Sequence, residues 1–337
     1  MNIQKNISLK PYNTFGIDVY AKQFVAVNDI DELNAVLELK GYSEKFILGG
    51  GSNILLTEDI DALVIHVNLK GINIESQGEN EVLVKASAGE NWHEFVLWCL
   101  DNDFGGIENL SLIPGNVGTT PIQNIGAYGI EIKDVYESCE ALHINSKKIK
   151  TFTKDECKFD YRNSIFKNDN KGEYIILNVT FKLSTINHEI KSSYGAITSE
   201  LAAQKIDNPT IKDISNAIIK IRSSKLPDPK KIGNSGSFFK NPVITKTKYL
   251  KLKTNFPMMP SYEISEDLVK VPAGWLIEHS GFKGKTFGNY GIHKNQALVL
   301  VNYGNAKGED IKNLAQLIQK TIVQIFDINL EAEVNII

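Results

Sequence analysis

Two hydrophobic periods alternate along the chain. Residues 21–27 read as a strand, and Leu33, Val36 and Leu37 then recur at helical spacing behind Asp29 and Asp31, which suit a helix N-terminus. Phe46-Ile47-Leu48 is a short apolar strand that stops at Gly49-Gly50-Gly51-Ser52-Asn53. Ile54-Leu55-Leu56 and Leu63-Val64-Ile65 resume β-like character, so the glycine turn joins strand to strand. Residues 82–86 form a further strand, Trp92, Phe95, Val96 and Cys99 mark one face of a helix, and residues 175–179 have the apolar character of a buried strand. Ile211, Ile214, Ile218 and Ile221 make an amphipathic stripe ending at Leu226-Pro227-Asp228-Pro229, where two prolines stop a helix and place a boundary near 220. A last helix is predicted from Ile311, Leu314, Leu317, Ile318, Ile322 and Ile325, all expected to face a core. The period then changes. Ile328, Leu330, Ala332, Val334 and Ile336 alternate with Asn329, Glu331, Glu333 and Asn335, predicting a half-buried strand that returns to an existing sheet.

Residues 105–129 fit neither period. They are rich in Gly, Asn, Pro and Ser, and run longer than an ordinary loop, a length that tends to be functional. From Ile113 to Gly129, backbone and hydroxyl donors interleave with Ile and Val, a mixture suited to a large ligand with polar and flat apolar parts. A structural Ω-loop explains the glycines but not so many polar groups. In the Gly-Gly-Gly-Ser-Asn turn, glycines permit positive φ, and successive N–H groups can form a nest for a diphosphate; a plain tight turn stands at equal weight. The turn is not the dinucleotide GxGxxG fingerprint, because Ile54 stands at a glycine position and no clear helix follows. Residues 281–286 fail as a phosphate loop because His279 occupies a required glycine position, and residues 233–237 fail as a nucleophile elbow because Ser237 stands at the final glycine. Taken singly, Arg162 reads as a surface arginine, Ser237 as a turn serine and Glu333 as a solvated carboxylate.

Composition narrows the classes. At 337 residues and roughly 100–200 residues per domain, two or three domains are expected. A hydrophobic share of 42% supports a sizeable core. Lys plus Arg is 37 against 40 for Asp plus Glu, a net charge of -3 that argues against a dedicated nucleic-acid protein, though not against a local basic pocket. No apolar run reaches the roughly 20 residues of a membrane span, and the first residues lack a signal's apolar core, so the cytoplasm is expected. Cys99, Cys139 and Cys157 form no CxxC pair and no HExxH helix is present, so buried free thiols and no metal are expected. No heptad pattern calls for a dimer, so a monomer is expected.

Several segments together resemble one family. They are residues 9–16 (LKPYNTFG), 48–53 (LGGGSN), 89–93 (GENWH), 113–129, 161–166 (YRNSIF), 225–229 (KLPDP), 236–242 (GSFFKNP), 273–277 (AGWLI) and 330–334 (LEAEV). Standing in this order along nearly the whole chain, they resemble the UDP-N-acetylenolpyruvoylglucosamine reductases, flavin enzymes of bacterial peptidoglycan precursor synthesis. The resemblance implies an α+β architecture with an FAD-binding fold of the vanillyl-alcohol-oxidase type in two subdomains, plus a separate α+β substrate-binding domain. The corresponding parts are residues 1–68, completed by a C-terminal strand at 328–337, then 69–219, and 220–327 for the substrate. The resemblance gives Gly50, Gly51, Ser52 and Asn53 to the FAD diphosphate. It gives Pro114, Gly115, Gly118, Thr119, Thr120, Ile122, Gly126 and Tyr128 to the rest of the cofactor.

By the same resemblance, NADPH reduces FAD, and UDP-N-acetylglucosamine enolpyruvate then takes hydride at its vinyl carbon to give UDP-N-acetylmuramate. Arg162 and Glu333 match the residues that meet charge developing toward the substrate carboxylate, and Ser237 matches the proton donor. Tyr194, Lys225, Asn241 and Gln296 match nucleotide-sugar and phosphate contacts. The chain departs from the pattern at Gly50, where some relatives carry an acidic residue. Its tail beyond Glu333 is shorter than in some relatives, so a less anchored terminal strand is expected. Two other readings are an FAD oxidase of the same fold, which would not need Lys225, Asn241 or Glu333, and a non-catalytic nucleotide-sugar binder without flavin.

Overall fold

The apolar runs of the N-terminal part assemble into two sheets in a computed structural model, which describes residues 2–42 and 44–337. In chain order come β1 (Gln4–Ser8), β2 (Tyr20–Val27), α1 (Ile30–Glu38), β3 (Lys45–Leu48), β4 (Ile54–Leu55) and β5 (Ile60–Val67). The first sheet has the order β1-β2-β5-β3, with β2 and β3 both parallel to β5. Strands running the same way in one sheet need a crossover, and α1 supplies it between β2 and β3. Asp29 caps α1, its Oδ1 accepting from Glu32 N at 2.7 Å, and Leu33, Val36 and Leu37 form the buried face.

The second sheet is antiparallel throughout. It uses β6 (Ile72–Gln77) and β7 (Glu81–Ser87); then, beyond α2 (Trp92–Asp101), the short β8 (Gly126–Ala127) and β9 (Ile130–Glu131), and α3 (Ile132–Val135), it uses β10 (Tyr136–His143), β11 (Ile149–Thr153) and β12 (Tyr174–Ser184). Its order is β11-β10-β12-β7-β6. β12 lies centrally and is buried from Ile175 to Phe181, which explains why its sequence shows little alternation. Leu142, Ile175 and Leu177 share one core with Val25, Leu63 and Ile65 of the first sheet and with α1. In a second core, Trp92, Phe95 and Phe181 meet with ring centroids 5.1–5.8 Å apart. Two further helices, α4 (Gly195–Ala203) and α5 (Ile211–Lys225), pack through Ile197, Leu201, Ile214 and Ile218.

The C-terminal part holds β13 (Val243–Thr245), α6 (Lys246–Asn255), β14 (Tyr262–Glu263), β15 (Leu268–Lys270), α7 (Ala273–His279), β16 (Thr286–Phe287), β17 (Tyr290–Ile292), β18 (Leu300–Asn302), α8 (Gly308–Phe326) and β19 (Asn335–Ile336). β13-β15-β14 and β16-β17-β18 are small antiparallel sheets. Contacts group the chain into two units. The first takes Met1–Ile7, Ala21–Gly50 and Ile60–Ser223, and the second Ser8–Tyr20, Gly51–Asp59 and Ser224–Ile337.

Two sequence expectations change here. Ile311, Leu314, Ile318 and Ile322 of α8 are buried, but Leu317 is 46% exposed and Ile325 43%. Leu317 lies well round the helix from the buried stripe, and in the last turn Phe326 takes the buried place beside Ile325. The tail keeps its alternation only in part, with Ile328, Leu330 and Val334 buried but Ala332 half-buried and Ile336 exposed, and only Asn335–Ile336 form a ladder, parallel to β4. That tail is firmly tied. Ile337 N donates to Leu55 O at 2.9 Å, and Ile337 O accepts from Thr57 N and Thr57 Oγ1 at 2.8 and 2.6 Å. The expectation of a loose terminal strand is therefore corrected.

Phe181→Ala removes the ring between Trp92 and Phe95 and should cost about 3–5 kcal/mol, read as a lower urea midpoint with an unchanged slope.

Candidate active site

The long aperiodic connection of the first unit is held by side chains as well as by scattered backbone bonds. Trp92 Nε1 donates to Leu110 O at 2.9 Å, and Ser111 Oγ donates to Glu108 O at 2.7 Å while lying 2.8 Å from Ser215 Oγ on α5. Leu112, at φ 59°, donates its N–H to His93 Nδ1 at 3.0 Å. That bond puts the imidazole proton on Nε2, and burial, helped by Arg222, holds the His93 pKa below its ordinary value against the pull of Glu94. Glu108 is 2% exposed and burial raises its carboxyl pKa, although Gly106 N donates to it at 2.7 Å.

All the expected cofactor residues between Pro114 and Tyr128 lie on this connection. Val117 N and Gly118 N donate to Glu90 O and Ala88 O at 2.8 and 3.0 Å, pinning the loop beyond β7. A Cβ on Gly118 would sit 2.4 Å from Ala88 Cβ, so only glycine fits. Gly49 and Gly50 lie against the same loop: a Cβ would meet Thr119 Cγ2 at 2.7 Å from Gly49, and Asn116 Oδ1 at 2.8 Å from Gly50. Close backbone approach thus accounts for these two glycines. Thr119 Oγ1 and Thr120 Oγ1 donate to Asn116 O and Val117 O at 2.7 and 2.8 Å, so their protons are engaged inside the loop. Ile122 O accepts from Ser164 Oγ at 2.6 Å.

Arg162 is half-buried against this loop, not splayed on the surface. Its Nη2 donates to Gly126 O at 2.6 Å, and its own backbone is left-handed at φ 54°. A non-glycine residue held there costs about 1–3 kcal/mol and marks a position that the surroundings dictate. Tyr128, at φ 49°, packs edge-on to Tyr194 with centroids 5.4 Å apart. The Tyr128 hydroxyl meets the guanidinium of Arg222; burial pushes the phenol up and the guanidinium down. Arg222 Nε is out of solvent and has no hydrogen-bond partner among the described residues. Arg222, His93 and Asn109 were not legible in the sequence as site residues. A buried arginine near a glycine-rich loop leaves no periodic trace.

In the second unit, the other expected residues gather around one turn. His293 N donates to Val299 O at 2.9 Å and closes a turn that carries Gln296. Asn295 Nδ2 donates to Ser224 O at 3.2 Å, beside Lys225. Asn241 Oδ1 accepts from Ala273 N at 2.9 Å, and Gln296 Oε1 lies 3.5 Å from where a Cβ on Gly274 would stand. Asn241 and Gln296 therefore flank the start of α7. Leu298 O, on the same turn, accepts from Phe238 N at 2.8 Å, next to Ser237. Segment 237–240 then pairs with 331–333: Glu333 N donates to Phe238 O at 2.8 Å, Lys240 N donates to Glu331 O at 2.9 Å, and Lys240 and Glu331 form an ion pair. Ser237 and Glu333 thus sit on adjoining backbone. Asn53 Nδ2 donates to Glu333 O at 3.1 Å, so its amide positions that glutamate. Gly51, at φ 58°, has its open side filled by Tyr12 O, 1.9 Å from a would-be Cβ. Ser52 is half-buried in the same turn.

Residues 21–149 match the family model described as an FAD binding domain. Residues 228–337 match the one described as the C-terminal domain of UDP-N-acetylenolpyruvoylglucosamine reductase. The molecule is thus a flavoprotein with an FAD-binding part and a second α+β part. A UDP-N-acetylenolpyruvoylglucosamine reductase from Flavobacterium johnsoniae is 60% identical over 337 residues, covering 100% of both chains. One from Amoebophilus asiaticus is 47% identical, again over 100% of both. The crystal structure of the enzyme (MurB) from Thermus caldophilus shares the fold, with TM-score 0.70 at 22% identity, covering 100% of this chain and 99% of that one. The chain belongs to the UDP-N-acetylenolpyruvoylglucosamine reductase family.

FAD fits the residues present. The Arg222 guanidinium is held beside the loop without a hydrogen-bond acceptor at Nε, as a flavin's polar edge or phosphate requires. Among the described residues, the three cysteines are free and buried, and no cluster of ligating side chains could hold a metal. Arg222→Met should raise the melting temperature of the apoprotein, since an under-partnered buried charge is removed, while shrinking the further rise that added FAD produces. Thermal unfolding with and without FAD reads both.

Proposed function

We infer that this chain is an FAD-dependent oxidoreductase that uses NADPH to reduce UDP-N-acetylglucosamine enolpyruvate to UDP-N-acetylmuramate in peptidoglycan precursor synthesis. Family membership over the full length supports the reaction. Within the structure, the carrying observation is the pairing of segments 237–240 and 331–333. It supports a shared role for Ser237 and Glu333, because the backbone of Phe238, next to Ser237, bonds that of Glu333 in the part of the chain that matches the reductase's own C-terminal domain.

When bound, FAD would supply the two-electron relay between NADPH and the vinyl carbon of the substrate. The chain's own residues handle charge and proton. Hydride addition drives electron density toward the substrate carboxylate. We assign Arg162 to that charge; with its fork already held by Gly126 O, it needs no reorganisation when charge develops. Glu333, backed by Asn53 and Phe238, shares the same task and contributes when it carries a proton. Ser237 delivers the proton to the carbon next to the carboxylate. A serine hydroxyl is a weak acid, so placement must serve where acidity does not, and the bonds at Phe238 and Gly236 fix that placement.

We assign Tyr194, Lys225, Asn241 and Gln296 to the nucleotide sugar, with Lys225 as the point charge for a diphosphate. Gly50, Gly51, Ser52 and Asn53 go to the FAD diphosphate, and Pro114, Gly115, Gly118, Thr119, Thr120, Ile122, Gly126 and Tyr128 to the rest of FAD. The support is the close approach of Gly49 and Gly50 to Asn116 and Thr119. We assign residues 1–68 with 328–337, and 69–219, to two FAD-binding subdomains of the vanillyl-alcohol-oxidase type, and residues 220–327 to the substrate domain; the two separate sheets of the first unit support dividing 1–68 from 69–219. We place the protein in the cytoplasm as a monomer; no helix among the described residues is long and apolar enough to cross a membrane.

Ser237→Ala should leave anaerobic flavin reduction by NADPH within about twofold and slow substrate-dependent reoxidation by roughly 10²–10³. Equal loss in both half-reactions would refute the role. Arg162→Lys should lower kcat/KM by about 10²–10³, because lysine replaces a fixed fork with a single mobile charge.

A further inference from the structure

Asn109 is fully buried, and its one amide nitrogen reaches two separate segments. Asn109 Nδ2 donates to Tyr128 O at 3.0 Å and to Lys191 O at 3.0 Å. Tyr128 ends the cofactor loop in a left-handed conformation, at φ 49°. Lys191 leads into Tyr194, which precedes α4 and whose carbonyl accepts from Ile197 N at 2.8 Å. The two segments meet again at their rings, Tyr128 against Tyr194. A closed circuit results: amide to Tyr128, ring to ring, and back through 191–194 to the same amide. Asn109 Oδ1 has no hydrogen-bond partner among the described residues. An amide buried with one end unsatisfied is kept for what its other end does, because a hydrophobic residue of similar size would avoid the desolvation cost. The segment bearing it is itself fixed, by Trp92 Nε1 at Leu110 and by Ser215 at Ser111.

We propose that Asn109 is a positioning residue that couples the flavin loop to the Tyr194 segment through its two carbonyl bonds. It rests on the assignment of Tyr128 to FAD and Tyr194 to the nucleotide sugar. Seating of FAD against Tyr128 sets the 191–194 segment before substrate arrives. Without the amide, both carbonyls are freed, and the left-handed Tyr128 loses the bond that holds its peptide plane.

The test is a double-mutant cycle on the FAD-loaded full chain, with KM for UDP-N-acetylglucosamine enolpyruvate as readout. Tyr194→Ala alone should raise KM, and Asn109→Ala alone should raise it about tenfold. In the Tyr194→Ala background, Asn109→Ala should change KM by less than about twofold, because its effect runs through Tyr194. An equal factor in both backgrounds overturns the coupling while leaving the Tyr194 assignment intact. An unchanged KM for Tyr194→Ala alone overturns that assignment and the coupling with it. Hydrogen exchange of the unaltered protein gives a second test that does not depend on a variant folding. Adding FAD to apoprotein should slow exchange of the 191–194 amides together with those of 114–128. Protection of 114–128 with no change at 191–194 overturns the proposal.

Discussion

A buried backbone must find a partner for every N–H and C=O, and the connection at 105–129 meets that demand piecemeal, with single helical turns at Glu108–Leu110 and Val117–Thr119, the two-residue pairing of β8 with β9, and isolated bonds to Ala88, Glu90 and Ser184. Side chains from elsewhere in the first unit supply further partners: Trp92, His93 and Ser164 each serve one backbone group, while Ser215 braces the hydroxyl of Ser111. The segment is therefore irregular and rigid at once. That combination is what a large flat cofactor needs, because irregular backbone offers polar groups in directions that regular elements do not, and rigidity keeps them aimed before the ligand arrives. Arg162 and Tyr128 inherit the constraint. Both sit in left-handed backbone and both are held by or against this connection.

In the second unit, the terminal residues play the comparable part. Asn335 and Ile337 bond to Asn53 and Leu55, and Asn53 bonds back to Glu333. Two residues of the tail, Asn335 and Ile337, thus anchor it to the strand after the glycine turn. The turn closed by His293 and Val299 links Gln296, Lys225 and the backbone beside Ser237, so residues assigned to substrate binding and to proton delivery share one support.

Periodicity made α1, α2, α5 and β12 legible, because each buries one face or its whole length and leaves an apolar pattern. It misread Leu317 and Ile325 in α8, where an apolar residue off the stripe reads like one on it. It gave a continuous strand for the tail, where pairing is confined to Asn335–Ile336 and a bridge at Ala332, because alternation records burial and not hydrogen bonding. The glycine turn stayed ambiguous in sequence, since a nest and a close approach both demand glycine, and the contacts of Gly49 and Gly50 settle only the approach. Arg162, Ser237 and Glu333 became candidates only through resemblance, because a single arginine, serine or glutamate has no pattern of its own. Asn109 and Arg222 stayed silent for a related reason: a buried polar residue is defined by partners distant in sequence.

In the proposed reaction, electrons from NADPH reach the enolpyruvyl group through the flavin bound by this chain. The most direct test is an anaerobic cycle on the FAD-loaded protein, bleached with one equivalent of NADPH and then mixed with one equivalent of UDP-N-acetylglucosamine enolpyruvate. Full return of the oxidised flavin band with an equal amount of UDP-N-acetylmuramate is the predicted result. A flavin that bleaches and then stays reduced until oxygen is admitted would contradict it.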